Sequence, residues 1–313
     1  MNENLIEQLP KGALKDKPSD KDYKLSFAAP VGVDWSKEYR VPDPGDADQG
    51  SSDSCVGHAW SYYHKQLKGK NFSRRDLFCR IFQDYGAYIR DGGVQVVKNG
   101  QATNSEVSDP AFQTEANMRS ADGTSQSYRD DDKEYNSFVL TQQDINGVAW
   151  GIKEYKGVVF GVEGDNYGWR DLVNPEPPSY GVPVWGHAIY AMGYHMHNGQ
   201  KCIIAKSSWC NSGAKEHHIK ETYFITGHTF SAWTLIPNPL TTPGMKLVKN
   251  TKDKTVGIYT GNKDHRILAF ANVEALGLLG DEPQYEMDFG NTPIYNIVKN
   301  NPNGDGTFVI VKK

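Results

Sequence analysis

The feature that constrains this chain most is a polar run of small residues that opens directly into helical periodicity. The run is Gln49-Gly50-Ser51-Ser52-Asp53-Ser54-Cys55, and Val56, Ala59, Trp60, Tyr63 and Leu67 follow at the spacing of one helix face. Ser54 fits the cap, so Cys55 is expected in the first turn of a helix from Ser54 to about Lys68. Much later come Gly186-His187-Ala188-Ile189 and Ile204-Ala205-Lys206-Ser207-Ser208-Trp209. An amide, a thiol, an imidazole and a shielding indole, in that order, are the parts of a cysteine acyl-transfer site.

The flanking pattern predicts an α+β fold. Leu77, Ile81, Phe82, Tyr85 and Ile89 suggest a helix from Arg74 to Arg90. A short helix is expected near Pro110–Arg119 and another over Thr141–Tyr155. Strand-like runs then take over at 157–162, 188–192, 201–205 and 222–225, with His197-Asn198-Gly199 as a hairpin turn. Residues 1–30 read as an extended N-terminal segment, and residues 31–240 as the main domain. Pro237, Pro239 and Pro243 mark a linker. Residues 244–313 read as a small β-rich module with a helix at Val273–Leu279 and strands near 246–249, 256–260, 265–270, 294–298 and 307–311.

Each candidate residue has a chemical reason. A thiol at a helix N-terminus faces orphan N–H groups and the positive end of the helix dipole, both of which favour thiolate. Gln49 would donate its amide N–H, together with the Cys55 backbone N–H, to an oxyanion. His187, opening an apolar strand after Gly186, would act as base and then acid. Among the nine histidines, His58 is the best rival base, although it shares a helix with Cys55; His195, His197, His217, His218, His228 and His265 read as surface or loop residues. Trp209 would shield the histidine from water, or be an ordinary core tryptophan. Cys79, Cys202 and Cys210 read as buried small hydrophobes, with a Cys202–Cys210 bridge left open.

Composition narrows the function classes. A formal net charge of -4 with scattered basic residues gives no reason to expect nucleic acid or an anionic membrane surface. No apolar run approaches the roughly 20 residues of a membrane helix, and no signal peptide is visible. Four cysteines in 313 residues are neither a disulfide framework nor a zinc knuckle, so no metal and no cofactor are expected. The default compartment is cytoplasmic, with export by another route open.

Three blocks taken together resemble the papain-like cysteine peptidases, in their bacterial and viral forms: Val33-Asp34-Trp35 with Asp48-Gln49-Gly50 and Cys55, then Gly186 to Tyr194, then Asn198 to Trp209. The resemblance covers roughly residues 9–236. It implies a two-lobed fold, a helical left lobe bearing Cys55 and an antiparallel β right lobe bearing His187, with a peptide or protein substrate extended between them. It further implies that residues 1–30 are a very short pro-segment. The position of the family's histidine-orienting asparagine holds Ser207, which implies either reduced activity or another group in the asparagine's role. Val56 stands for the family's tryptophan, Ser52 for its partner cysteine and Cys210 for its glycine.

The expected function is therefore hydrolysis of peptide bonds by Cys55 and His187, with Gln49 in the oxyanion hole and Ser207 beside the histidine. Trp185, Gly186, Trp209, Asn99 and Gly100 form the expected substrate-binding set, and the C-terminal module is a candidate dock for a protein or surface partner. The alternatives are a catalytically silent papain-like fold used for binding and an acyl transferase on the same site.

Overall fold

The computed structural model describes residues 12–25, 33–120, 129–130 and 135–237, except 166, 183 and 212. Beyond these it describes the backbone of six strands between 246 and 312. The chain divides into two compact units. One holds Met1–Ser26, Pro30–Asp132 and Ser137–Ile236; the other holds Pro237–Lys313 with Phe27–Ala29 and Lys133–Asn136.

The larger unit is α+β. Its helical part is built on Cys55–Lys68, the cysteine helix, in which every residue from Cys55 to His64 is buried. Gly69 ends it at φ 71° and donates its N–H to the Lys65 carbonyl at 2.7 Å, the left-handed stop that glycine permits. Helices Arg74–Ile81 and Ile89–Asn99 pack against it. Gly92 and Gly93 make room for Trp60, where a Cβ would lie 2.2 Å and 2.8 Å from the indole. The same indole donates to the Ile89 carbonyl at 2.8 Å. His64 is structural: it stacks on Phe72 at 3.5 Å and meets the Gln101 amide oxygen at 3.0 Å.

Opposite lies an eight-stranded sheet. Its main path runs Glu216–Lys220, Gln200–Lys206, Trp185–His197, Val158–Gly164, Thr229–Pro237, Tyr135–Leu140, Lys24–Leu25. The central strand Trp185–His197, the histidine strand, packs on the cysteine helix. Asn198 and Gly199, both at positive φ (48° and 75°), make the tight turn into Gln200–Lys206, as the sequence predicts. The smaller unit is a six-stranded sheet over Lys246–Asn250, Val256–Tyr259, Ile267–Ala269, Tyr285–Met287, Ile294–Ile297 and Ile310–Lys312. The helix expected at 273–279 lies outside the described residues.

Several local expectations are corrected. The helix expected from Arg74 to Arg90 stops at Ile81; Phe82–Gln83 and Gly86–Tyr88 form a hairpin, and a new helix starts at Ile89. Gly86 sits at φ 110°, and Phe82 and Tyr85, which continued the helical spacing, are exposed. Backbone pairing with Phe82–Gln83 and with Ala13–Leu14 outweighed the periodicity there. The run 222–225, expected as a strand, lies in the helix Glu221–Ile225, which buries Tyr223 with its hydroxyl on the Glu176 carbonyl at 2.7 Å. A short apolar run does not fix its own period. The helix expected near 110–119 shrinks to Glu115–Met118, set by a Thr114–Asn117 capping box. All four cysteines are free, so no Cys202–Cys210 bridge forms, and Cys79 is half-buried rather than buried.

Candidate active site

The thiol and the histidine strand meet. Cys55 begins its helix, and its sulfur accepts the N–H of Ala188, the residue after His187, at 3.4 Å. The backbone N–H groups of Cys55 and Val56 act on the same sulfur. Ser54 occupies the cap position but makes no cap hydrogen bond; its hydroxyl turns to Ser52 at 2.7 Å. The first-turn donors are thus left for the thiol.

Gln49 is fully buried and tightly held. Its N–H donates to the Ser208 carbonyl at 2.8 Å, its amide oxygen accepts the Ser208 hydroxyl at 2.5 Å, and its amide nitrogen donates to the Ser52 carbonyl at 2.6 Å. An amide nitrogen carries two N–H groups, so one stays available. Gly50, at φ 58°, lets the loop press on Gln113, where a Cβ would come within 2.2 Å of the Gln113 carbonyl. Lys206, 1% exposed, ties the preceding segment down through Asp43 and Asp46 at 3.0 and 2.7 Å. Ser208 carries no signal of this role in the sequence.

His187 lies 1% exposed, its ring stacked on Trp209 at 3.8 Å and 11°. Trp169 packs edge-on against Trp185 and Trp209 and forms the wall behind it. His187 Nε2 is buried without a hydrogen-bond partner among the described residues. Ser207, fully buried, instead accepts the Trp209 N–H at 3.3 Å, so it fixes the backbone that carries the stacked indole. Cys210 donates to the Ser207 carbonyl at 3.2 Å, which gives that residue a place in the same turn.

The protonation balance follows from burial. Burial pushes the Cys55 thiol from 9.0 up to about 12, Asp53 adds to the rise, and the N–H groups of Ala188, Val56 and Cys55 oppose it. Burial, then the neighbouring His217, holds His187 well below its ordinary range. Burial therefore favours a neutral thiol and a neutral imidazole. His58 is fully buried on the cysteine helix, with both ring nitrogens unpartnered among the described residues, and burial drives its pKa down. His217, expected at the surface, is buried: its ring lies 4.3 Å from Trp169, its Nδ1 is 2.8 Å from the Leu172 carbonyl, and its pKa falls to about 4.

What buries the site is the N-terminal segment. A Cβ on Gly12 would lie 2.6 Å from the Cys55 sulfur and 2.5 Å from the Asp53 carbonyl. Ala13–Leu14 then pair in parallel with Gly86–Tyr88, the Gly12 carbonyl accepting the Ala87 N–H at 3.0 Å. On the other side the Ala13 carbonyl sits where a Gly186 side chain would be, 2.3 Å from its Cβ position. Lys15 reaches Glu163 at 2.5 Å. Asp16 accepts from Trp233 Nε1 at 2.7 Å and from the Arg90 N–H at 3.2 Å, and its own N–H donates to Ser231 at 2.9 Å. An open pocket of about 500 Å³ lies between this segment and Phe230, Ser231 and Trp233.

Of the expected substrate-binding residues, Trp185, Gly186 and Trp209 surround His187. Asn99 and Gly100 end the helix Ile89–Asn99, where Asn99 donates to Gln95 at 2.9 Å. The adjoining Gln101 reaches Ser61 at 2.6 Å, on the cysteine helix. Six residues of helix put Ser61 about 9 Å along the axis from Cys55. The edge beside the segment that touches Cys55 is Gly86–Tyr88, which the sequence reading assigned to a helix. Among the described residues no cluster of His, Cys, Asp and Glu fits a metal ion, and no helix is long and apolar enough to cross a membrane.

No family model matches the sequence, and no curated protein aligns with it. Solved structures do match its fold. Xylellain, a cysteine protease from Xylella fastidiosa, aligns over 74% of this chain and 97% of its own at 17% identity and TM-score 0.56. proCathepsin B S9 from Trypanosoma congolense covers 74% of this chain and 88% of its own at 12% identity and TM-score 0.57. Digestive procathepsin L2 from Tenebrio molitor larval midgut covers 75% and 80% at 16% identity and TM-score 0.56. With its thiol on a helix start and its imidazole on the facing strand, this chain has the fold of the papain-like cysteine peptidases.

Proposed function

We propose that this chain is a cysteine peptidase. Cys55 is its nucleophile, His187 its acid–base group, and Gln49 with the Cys55 N–H its oxyanion hole. The observation that carries the reading is the contact of the Cys55 sulfur with the Ala188 N–H at 3.4 Å, which sets a helix-opening thiol against the histidine strand. The buried Gln49 and the Trp209 stack on His187 support it.

In the reaction, His187 takes the Cys55 proton and the sulfur attacks the peptide carbonyl carbon. Gln49 and the Cys55 N–H stabilise the resulting oxyanion. His187 then protonates the leaving amine, and a thioester remains. Water, deprotonated by His187, hydrolyses the thioester and restores the thiol. Ser207 acts on the ring indirectly, by fixing the Trp209 backbone, and an unpartnered Nε2 is consistent with slower turnover than an amide partner would give.

Residues 12–25 belong to this reading as an inhibitory segment. Gly12 lies against the thiol, and Lys15 and Asp16 are held by Glu163, Arg90, Ser231 and Trp233. Two of the similar structures are proenzymes by name. The test is hydrolysis of a quenched-fluorescence peptide mixture, before and after limited proteolysis of the N-terminal segment, by wild type and Cys55→Ala. Turnover confined to the wild type, rising after cleavage, is expected. Turnover retained by Cys55→Ala refutes the nucleophile. No turnover from either, with Cys55 unreactive to a thiol-directed epoxide, favours a silent binding fold.

A further inference from the structure

We infer that Glu163 sets the specificity of the cleft by taking a Lys or Arg side chain of the substrate in the place where Lys15 of the chain's own segment now sits. The inference rests on the peptidase reading above.

Glu163 lies on Val158–Gly164 directly opposite Gly186, one residue pair from His187 and Val162. It is 7% exposed, so its carboxylate has given up most of its water and needs a cation. Lys15 supplies one at 2.5 Å, and His228 Nδ1 lies 2.7 Å from the other carboxylate oxygen. Burial alone would raise the Glu163 pKa, but the hydrogen bonds from Lys15 and His228 outweigh it and hold the group ionised.

The Lys15 side chain is 61% exposed, so this cation arrives from outside the sheet and leaves with the segment. Its nitrogen lies 5.6 Å from the centre of the Phe230 ring, which gives the side chain an aromatic floor. Gly161 and Gly186 keep that trough open: a Cβ on Gly161 would lie 2.2 Å from Phe230, and one on Gly186 would lie 2.3 Å from the Ala13 carbonyl. Once the segment is displaced, Glu163 keeps only His228 among the described residues. A peptide with a basic residue near its scissile bond restores the lost pair, whereas a neutral or acidic one leaves a buried carboxylate short of a cation.

The test uses the full-length protein, before and after limited proteolysis of its N-terminal segment, and paired peptidyl acyloxymethyl ketones that label Cys55. Each pair is identical except for arginine or citrulline, scanned through the positions next to the reactive ketone. The matching peptide amides are assayed for hydrolysis. Wild type is expected to prefer arginine at one position by roughly 10- to 100-fold, the usual range for a hydrogen bond to a charged group. In Glu163→Gln that ratio is expected to fall toward one. Equal labelling by both members of every pair in wild type, or an undiminished ratio in Glu163→Gln, overturns the inference and leaves the peptidase reading standing. Selective labelling by the arginine probe without hydrolysis of any amide supports the role of Glu163 and overturns the peptidase reading. Failure of every probe to label Cys55, both before and after limited proteolysis of the N-terminal segment, overturns both.

Discussion

Substituting Gly12 by alanine should open the active site. The new Cβ would lie 2.5 Å from the Asp53 carbonyl oxygen, 2.6 Å from the Cys55 sulfur and 2.9 Å from the Asp53 carbonyl carbon. Ordinary contact begins near 3.4 Å, so something must move by close to 1 Å. Asp53 and Cys55 cannot yield easily, because the Asp53 N–H is fixed to Glu115 at 2.8 Å and Cys55 starts a buried helix. The segment moves instead, and its two-residue pairing with Gly86–Tyr88 is lost. Burial is the largest cause holding the thiol at about 12 instead of 9.0. Full relief would raise the thiolate population at neutral pH by roughly a thousandfold, worth ~4 kcal/mol. Partial opening, and the weaker nucleophilicity of a more acidic thiol, reduce the expected gain in alkylation rate to about 10- to 1,000-fold. The assay is iodoacetamide labelling between pH 6 and 9, read by mass spectrometry at Cys55. The half-buried Cys79 serves as the internal reference. A Cys55 rate and pH profile matching wild type would refute the reasoning, as would an equal acceleration at Cys79, which would signal general loosening.

Gln49→Ala should lower kcat by about 10²- to 10³-fold, the usual effect of one oxyanion donor; a change confined to KM would move Gln49 to substrate binding. Ser207→Asn should raise kcat several-fold by giving the unpartnered His187 Nε2 an acceptor, and Ser207→Ala should lower it modestly by loosening the Trp209 backbone. Steady-state kinetics of both variants check this, and a fall in kcat for Ser207→Asn would count against it. His217 contributes stability as a neutral buried group: its pKa is lowered from 6.5 to about 4, so the contribution is complete above pH 6.5 and is lost as pH falls through about 4. The loss is on the order of 3 kcal/mol, and urea unfolding of His217→Asn at pH 7 and pH 4 should show a shallower pH dependence than wild type; an equally steep one would exclude His217 as its source.

The sequence by itself determined the parts that local rules control. Helical spacing after a polar run placed Cys55 at a helix start, an Asn-Gly pair placed the hairpin after the histidine strand, and the order of Gln49, Cys55, His187 and Trp209 gave the fold. What depended on distant partners was not legible. The periodicity through Phe82, Tyr85 and Ile89 suited a helix, whereas Gly86–Tyr88 is a strand between Phe82–Gln83 and the distant Ala13–Leu14. Glu216–Lys220 and the helix after it were settled by what Trp169 and Tyr223 cover, which no window of neighbouring residues contains. The same holds within the site. Ser208 holds Gln49 across 159 positions of chain, and Lys15 meets Glu163 only because the segment is laid over the thiol. A side chain's type and spacing fix its local conformation, but its protonation state and its partner depend on burial, and burial here is decided by chain that arrives from the other end of the fold.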